Sequence, residues 1–343
     1  MRLIRTTVPS QRYSQAELGR QLARGNAKIE KLFENSHIRY RNLMLPVHED
    51  GSFSEETPEQ LNARHRAGCL LLGAEAVRKV LRDEGISARD VGFLICVTTT
   101  GYLCPGLSAL FVEKLGFRSD VRRLDIVGMG CNAALNALQN ACTYAMAHPG
   151  QNVLMLCVEM CSAAYVHTGT MGNAVVNSLF GDGAAAMLVR ANQADGTAGM
   201  PEVLDFSSLT LSDAIHGMRF EHEAGKLSFV IEREIPELIG ANCDKPVTTL
   251  LARNGLKHED IRHWVIHSGG KKVIDSAKRA LGLSDHDVRH TLHILENFGN
   301  LSSGACLFSL ARLLEEGSAR PGDYGVLMAM GPGIAVETAL LRW

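Results

Sequence analysis

A cysteine, a histidine and an asparagine in this chain each stand at a glycine-marked turn. Cys131 lies in Asp125-Ile126-Val127-Gly128-Met129-Gly130-Cys131-Asn132-Ala133-Ala134, where an apolar run ends in a glycine pair and helix-forming sequence continues to about His148. A nucleophile placed there sits on a sharp turn between a strand and a helix. Gly128 and Gly130 allow the tight backbone, and the amides of the first helical turn favour a thiolate. His267 follows Trp264-Val265-Ile266 and opens His267-Ser268-Gly269-Gly270; Asn300 lies in Asn297-Phe298-Gly299-Asn300-Leu301-Ser302-Ser303-Gly304-Ala305. Each has a plainer reading. Cys131 is one of nine cysteines and His267 one of 13 histidines, so either can be a packed core residue, and asparagine after glycine is a common turn residue.

Together the three types describe a chemistry. A cysteine carries an acyl group as a thioester. A histidine stabilises the thiolate as an ion pair, and its Nε2–H donates to an oxyanion. An asparagine amide adds a second, neutral donor. Two donors aimed at one oxygen suit an enolate, such as the one left when a malonyl thioester loses carbon dioxide. The same trio occurs in thiol proteases, where the asparagine orients the histidine and no duplicated sheet is expected.

The elements that must position these residues alternate between strand and helix, which implies a parallel α/β architecture. A long helix is expected from Pro58 to Glu84. Val91–Val97, Val121–Val127, Val153–Val158 and the run after Gly183 read as strands, the continuous apolar ones buried on both faces. Helices are expected over 106–115 and from Asn132 to His148, and His48 to Gly51 as part of an exposed loop. The polar, glycine-containing stretch 191–200 divides the chain into halves, 1–195 and 196–343. The second half repeats the first. Asp90-Val91-Gly92-Phe93-Leu94-Ile95 resembles Asp260-Ile261-Arg262-His263-Trp264-Val265, and the Pro149-Gly150 segment resembles the Pro321-Gly322 segment; the spacings are 59 and 61 residues. The search for internal repeats thus gives a duplicated unit with pseudo-twofold symmetry. Cys131 lies 18 residues before its Pro-Gly, and at that offset the second copy has Ser303. Two strand–turn–helix elbows are therefore expected to face one another, with His267 at the same strand-end level, where ligands bind in open α/β sheets.

Composition narrows the rest. Hydrophobic residues make up 46% and charged residues 21%, which suits a large core. The 35 basic and 37 acidic residues leave a formal charge of −2, which argues against a nucleic-acid partner. No apolar run approaches the roughly 20 residues of a membrane span, and no signal-peptide core follows Met1–Arg5. Scattered cysteines without CxxC spacing read as reduced thiols of a cytoplasmic protein. Neither a dinucleotide fingerprint nor a P-loop is present, no ligand spacing suggests a metal, and Gly181-Asp182-Gly183 reads as a structural turn.

Met129-Gly130-Cys131, the segment Leu179 to Ala186 (LFGDGAAA), His263 to Gly270, Gly299 to Ser303, and Gly331-Pro332-Gly333 with Val336-Glu337-Thr338 carry a resemblance. The chain resembles the thiolase-fold condensing enzymes, and within them the type III polyketide synthases related to chalcone synthase, over nearly its whole length. Ketoacyl synthase III enzymes share the trio but lack the Gly-Pro-Gly loop and the LFGDG segment; they are the alternative. The run from His263 to Lys272, Asp287 to Thr291 and Arg320 to Met328 are similar to a bacterial branch of the family from antibiotic pathways. The resemblance implies an α/β fold of five αβαβα layers made of two duplicated halves, and a homodimer, with downstream pathway enzymes as further partners. It implies malonyl-CoA as starter and extender, a dihydroxyphenylacetyl-type aromatic thioester as product, and no cofactor beyond the CoA thioesters. Cys131 would take the starter acyl group, while His267 and Asn300 promote decarboxylation and hold the enolate. Phe180 and Phe229 match the two gatekeeper phenylalanines; Lys28 and Lys31 match basic positions that hold the CoA 3′-phosphate, with a solvated helix face as their other reading. Cavity positions are assigned to Cys104, Met330 and Ser302. The chain departs from the family pattern at Asn35, where a third basic CoA position is expected. It departs again at Cys104, where plant members send a methionine into the partner's cavity, and at Ala329-Met330. Between Gly217 and Phe229 it is longer than plant enzymes, so wall residues there do not transfer.

Overall fold

Continuous apolar runs become strands buried on both faces. The computed structural model describes residues 1–343 apart from 48–52, 55, 166–169, 192–198 and 224. The first half runs β1 (Leu3–Thr7), β2 (Arg12–Ser14), α1 (Gln15–Leu22), α2 (Ala27–Glu34), β3 (Tyr40–Asn42), α3 (Pro58–Glu84), β4 (Val91–Val97), α4 (Leu107–Leu115), β5 (Arg122–Ile126), α5 (Ala133–Ala147), β6 (Asn152–Glu159), α6 (Met171–Leu179) and β7 (Gly183–Val189). The second half runs β8 (Glu202–Thr210), β9 (Met218–Glu223), β10 (Lys226–Ile231), α7 (Ile235–Gly240), α8 (Asp244–Arg253), β11 (Ile261–Ile266), α9 (Lys271–Leu281), α10 (Arg289–Phe298), α11 (Ala305–Glu316), β12 (Tyr324–Gly331) and β13 (Ala335–Arg342).

The first sheet has the order β1-β7-β6-β4-β5 and the second β11-β12-β13-β8. In both, the strand that opens the parallel pair (β4, β11) adds to the next (β6, β12), which then pairs antiparallel with its successor. Every residue of β6 and β7 is buried, because helices cover both faces of the sheet. Alternation along β4 shows which layer is which. Ile95 and Val97 pack with Leu135 and Leu138 of α5, Leu307 and Leu310 of α11, and Val265 and Leu327 of the other sheet. Leu94 and Cys96 turn the other way, onto Leu72 and Val80 of α3 and Phe111 of α4. Trp264 and Met328 of the second sheet pack outward with Leu250 of α8 and Ile274 of α9. The result is five layers, with α5 and α11 held between the sheets. The long helix α3 begins as its sequence dictates, with Pro58 at its first turn and a Thr57/Gln60 capping box, and Gly85 ends it at φ 72°.

The duplication sets the site. A 3₁₀ turn over Gly130–Asn132 leads into α5, and its counterpart over Ser302–Gly304 leads into α11. Cys131 and Ser303 are 172 residues apart, as are the first residues of α5 and α11 and of β6 and β12. The expectation of two strand–turn–helix elbows needs one correction. A strand, β5, precedes Cys131, whereas the helix α10 precedes Asn300. The segment 289–298 buries His290, Thr291, Ile294 and Leu295, a helical spacing, so among the described residues the second sheet has no equivalent of β5. The strand expected over 121–127 is shorter and lies at a sheet edge, with mostly exposed side chains. Sheet one uses residues 3–189 and sheet two residues 202–342; the division drawn at 195/196 falls within 192–198, outside the described residues, as does the loop expected at His48–Gly51.

Gly130 is the tightest point of the first elbow. It has φ 72°, and a Cβ there would lie 2.2 Å from Pro332 Cδ, in the loop after β12. Gly130→Ala is therefore expected to destabilise the protein by about 1–3 kcal/mol, from left-handed strain and overpacking. Thermal unfolding checks this, and a melting temperature equal to wild type would contradict it.

Candidate active site

Cys131 is buried, with 7% of its surface exposed, and it faces a cavity lined also by Thr99, Thr100, Cys161, Phe180, Phe229 and Ser302. Its Sγ lies 3.6 Å from Ser302 Oγ. Burial pushes the thiol up to about 12, while hydrogen bonds from Ser302 and Asn300 act to lower it. Asn300 is oriented for this. Its Oδ1 accepts from the Ser302 amide at 2.8 Å, which leaves its Nδ2 to donate. That bond also holds Ser302 at φ 50°, a conformation unusual for a side-chain-bearing residue. The backbone around Asn300 is tied to the neighbouring segment: Phe180 and Asn300 form a parallel bridge, Asn300 N donates to Leu179 O at 2.8 Å, and Gly181 N donates to Asn300 O at 2.9 Å.

His267 stands where β11 ends, and its amide donates to Met328 O at 2.8 Å. Ser268 Oγ donates to Gly299 O at 3.5 Å, and Gly270 abuts Leu179, so the His267–Gly270 turn lies against the loop carrying Asn300. Gly269 presses on the imidazole, where a Cβ would come 3.1 Å from Cδ2. Burial alone holds the imidazole down at about 4, and Nδ1 has no hydrogen-bond partner among the described residues. Taken singly, burial thus favours a neutral thiol and a neutral imidazole. A buried charge on either group is tolerated only beside an opposite charge; His267 is not among the described residues lining the cavity at Cys131.

The chain of polar groups does not stop at Ser302. Thr99 Oγ1 lies 3.0 Å from Ser302 Oγ and donates to Glu159 Oε1 at 3.0 Å. Glu159, fully buried at the end of β6, also accepts from Thr99 N at 2.9 Å, Thr100 Oγ1 at 3.0 Å and Ser303 Oγ at 2.5 Å. Burial raises its pKa and these donors oppose the rise. The sequence reading passed over Glu159, Thr99 and Thr100. A carboxylate closing an otherwise apolar strand was the available signal, because such a charge stays buried only with several donors.

Three aromatic rings form one wall. Phe180 meets Phe229 edge-on at 5.7 Å, and Phe229 meets Phe220 at 4.8 Å. Phe220 belongs to the hairpin of β9 and β10, directly opposite Phe229 in register. It lies in the stretch whose wall residues could not be transferred, and its period-two alternation was the available signal. Of the other cavity candidates, Ser302 lines the cavity, whereas Met330 is buried on β12 and Cys104 is exposed; neither is among the described lining residues. Lys28 and Lys31 project from the exposed face of α2, whose Ile29 and Phe33 are buried. Asp182 is structural, accepting from Ser162 N, Ser162 Oγ and Met44 N.

Residues 4–193 match the N-terminal domain of chalcone and stilbene synthases, and residues 212–343 match their C-terminal domain. The chain is 46% identical to the 3,5-dihydroxyphenylacetyl-CoA synthase of Streptomyces toyocaensis, over 98% of this chain and 88% of that protein. It is 47% identical to the enzyme of the same name from Amycolatopsis balhimycina, over 98% and 91%. The crystal structure of 1,3,6,8-tetrahydroxynaphthalene synthase from Streptomyces coelicolor A3(2), a bacterial type III polyketide synthase, superposes with a TM-score of 0.91 at 25% identity, covering 99% of this chain and 98% of that one.

If the Cys131–His267 pair is what supplies thiolate, His267→Ala leaves a thiol governed by burial. Burial disfavours the thiolate, so without a cation to pair with it the thiolate fraction at neutral pH falls and recovers only as pH rises. Iodoacetamide labelling of Cys131 at pH 7 is expected to slow by at least about tenfold, with the loss shrinking as pH rises. Equal labelling rates for variant and wild type would contradict the pairing.

Proposed function

The chain belongs to the chalcone and stilbene synthase family, the type III polyketide synthases, and we propose that its site builds 3,5-dihydroxyphenylacetyl-CoA from malonyl-CoA alone. The observation that carries the chemistry is Asn300, whose carbonyl is occupied by the Ser302 amide so that its Nδ2 donors serve the thiol side. Cys131 Sγ attacks the thioester carbonyl of a first malonyl-CoA, CoA leaves as its thiolate, and the Cys131 proton passes to His267. A second malonyl-CoA loses carbon dioxide, and its thioester oxygen becomes the enolate that His267 Nε2–H and Asn300 Nδ2–H hold. The enolate carbon attacks the Cys131 thioester; a carbon–carbon bond forms and the cysteine sulfur leaves. Repetition lengthens the chain on CoA with one carbon dioxide lost per extender; the starter's own carboxylate also leaves as carbon dioxide, and cyclisation with loss of water gives the eight-carbon aromatic thioester. The scheme draws on no cofactor besides the CoA thioesters.

The product assignment rests on identity of 46–47% over 98% of the chain, against 32% to a 1,3,6,8-tetrahydroxynaphthalene synthase of Streptomyces peucetius subsp. caesius. The carbon skeleton of 3,5-dihydroxyphenylacetate is made wholly of two-carbon units, which malonyl-CoA supplies as starter and extender. Lys28 and Lys31 are the proposed grip for the CoA phosphates, since both are exposed cations one helical turn apart. A homodimer is proposed through the β5 edge, where a strand with one free side is followed by Val127, 43% exposed, and neighboured by the loop after β4 with Tyr102, 75% exposed. No helix among the described residues is long and apolar enough to cross a membrane.

Incubation with malonyl-CoA as sole substrate tests the reading. Free CoA and an aromatic CoA thioester are expected by mass spectrometry, and Cys131→Ala should cut product by about a thousandfold or more. Product at the wild-type rate from that variant, or no turnover without an acyl carrier protein, would refute it. Phe220→Ala removes a ring from the cavity wall and is expected to shift release towards products longer by one or more two-carbon units; an unchanged product profile would remove Phe220 from the account.

A further inference from the structure

Arg41 is the bulkiest fully buried side chain among the described residues, yet none of its hydrogen-bond acceptors is a carboxylate. Nε donates to Gln15 Oε1 at 2.9 Å, and one terminal nitrogen donates to Tyr165 Oη at 2.7 Å, Asn177 O at 2.7 Å and Phe180 O at 2.8 Å. A desolvated cation held mainly by neutral acceptors is costly, and burial does pull its pKa down. Its bonds are concentrated on one place. Asn177 O and Phe180 O belong to the last turn and the cap of α6, the partly negative end of that helix. Tyr165 Oη donates to the same Phe180 carbonyl at 2.5 Å.

The held carbonyl lies between two parts of the site. The ring of Phe180 meets Phe229 at the cavity, and the backbone of 179–181 is paired with Asn300 on both sides. Gly299, one residue before Asn300, leaves no gap: a Cβ there would come 2.5 Å from Leu179 O and 2.9 Å from Arg41 Cδ. The stem of the arginine therefore packs against the asparagine loop while its head holds the phenylalanine. Gln15 braces the arrangement, donating to Ser178 O at 2.7 Å and to Ser36 Oγ at 2.9 Å. Ser36 Oγ in turn donates to Phe33 O in the last turn of α2, which ties the helix carrying Lys28 and Lys31 to the same clamp.

We infer that Arg41 is a positioning residue for the condensation: by fixing the Phe180 carbonyl it sets, through the paired segments 179–181 and 300, both the gate ring and the Asn300 amide that holds the enolate. This rests on the reading of Asn300 as an enolate donor. A lysine at position 41 keeps the charge but has one nitrogen, which cannot reach Gln15 and the helix end together.

The test separates decarboxylation from thiol reactivity in the full chain. In a Cys131→Ala background, acetyl-CoA release from malonyl-CoA reports enolate stabilisation alone. Adding Arg41→Lys is expected to lower its kcat by about 10–100-fold with KM within about threefold. Iodoacetamide labelling of Cys131 in Arg41→Lys alone should fall by no more than about threefold, because the Asn300 amide is only one of the groups hydrogen-bonded to the thiol and Ser302 is the stronger. Added to Asn300→Ala, Arg41→Lys should cost little more, because both act on one group. Parallel loss of labelling and decarboxylation, or full additivity with Asn300→Ala, would overturn the proposal in favour of a purely structural role. Absence of acetyl-CoA from the Cys131→Ala protein with Arg41 intact would overturn the enolate-donor reading itself, and the proposal with it. Should Arg41→Lys not fold, Gln15→Met, which removes the acceptor of Arg41 Nε, is read the same way: a selective fall in decarboxylation of about 3–10-fold supports the clamp, and none overturns it.

Discussion

The buried carboxylate of Glu159 is the interaction on which the site depends. It closes a strand of the first sheet and accepts from two threonines of the first half and from Ser303 of the second. Leaving such a group without donors costs several kcal/mol, whereas each hydrogen bond to a charged acceptor returns roughly 1.5–3 kcal/mol. The two halves are therefore held in one register at the point where their elbows meet. Ser303 cannot move away from Glu159 without stranding it, and Ser302 and Asn300 are its neighbours in the same turn. The placement of Asn300 beside the Cys131 thiol follows from a bond that neither residue makes.

Around that point, opposing demands are met by segregation. Burial disfavours charge on the thiol and on the imidazole alike, and the proposed proton transfer would replace two neutral groups by a pair of opposite charges. The rings of Phe180, Phe229 and Phe220 line the cavity at Cys131, so an acyl group held there would meet an apolar wall. Electrostatics of this kind are strong because solvent is absent. The cost is a rigid surround of special backbone: Gly130 against Pro332, Gly299 against Leu179 and Arg41, and Ser302 in a left-handed conformation.

Much of this was legible in the sequence where a repeated pattern carried it. The matched Asp90/Asp260 and Pro149/Pro321 segments located the facing turns, and the 172-residue offset between Cys131 and Ser303 appears in the helices and strands that follow them. The continuous apolar runs of β4 and β6 marked strands buried on both faces, whereas the five layers were implied by the family resemblance. What could not be read depended on contacts between distant segments. The approach to Asn300 is a helix and not a strand, because a four-residue spacing within 289–298 outweighs the analogy with β5. Glu159 was hidden because a lone acidic residue after an apolar run looks like a strand end, and its donors come from residues 60 and 144 positions away. Phe220 was hidden because its partner across the hairpin, Phe229, becomes a neighbour only through the register of β9 and β10. Arg41 had no local signal at all.

The central claim is that the growing acyl chain hangs from Cys131 at the meeting point of the two halves. The most direct measurement is acid quenching of the wild-type protein milliseconds to seconds after mixing with malonyl-CoA, followed by peptide mass mapping. The account predicts malonate-derived acyl mass on the peptide containing Cys131 and on no other cysteine peptide. Acyl mass on a different cysteine, or turnover with none on Cys131, would contradict it.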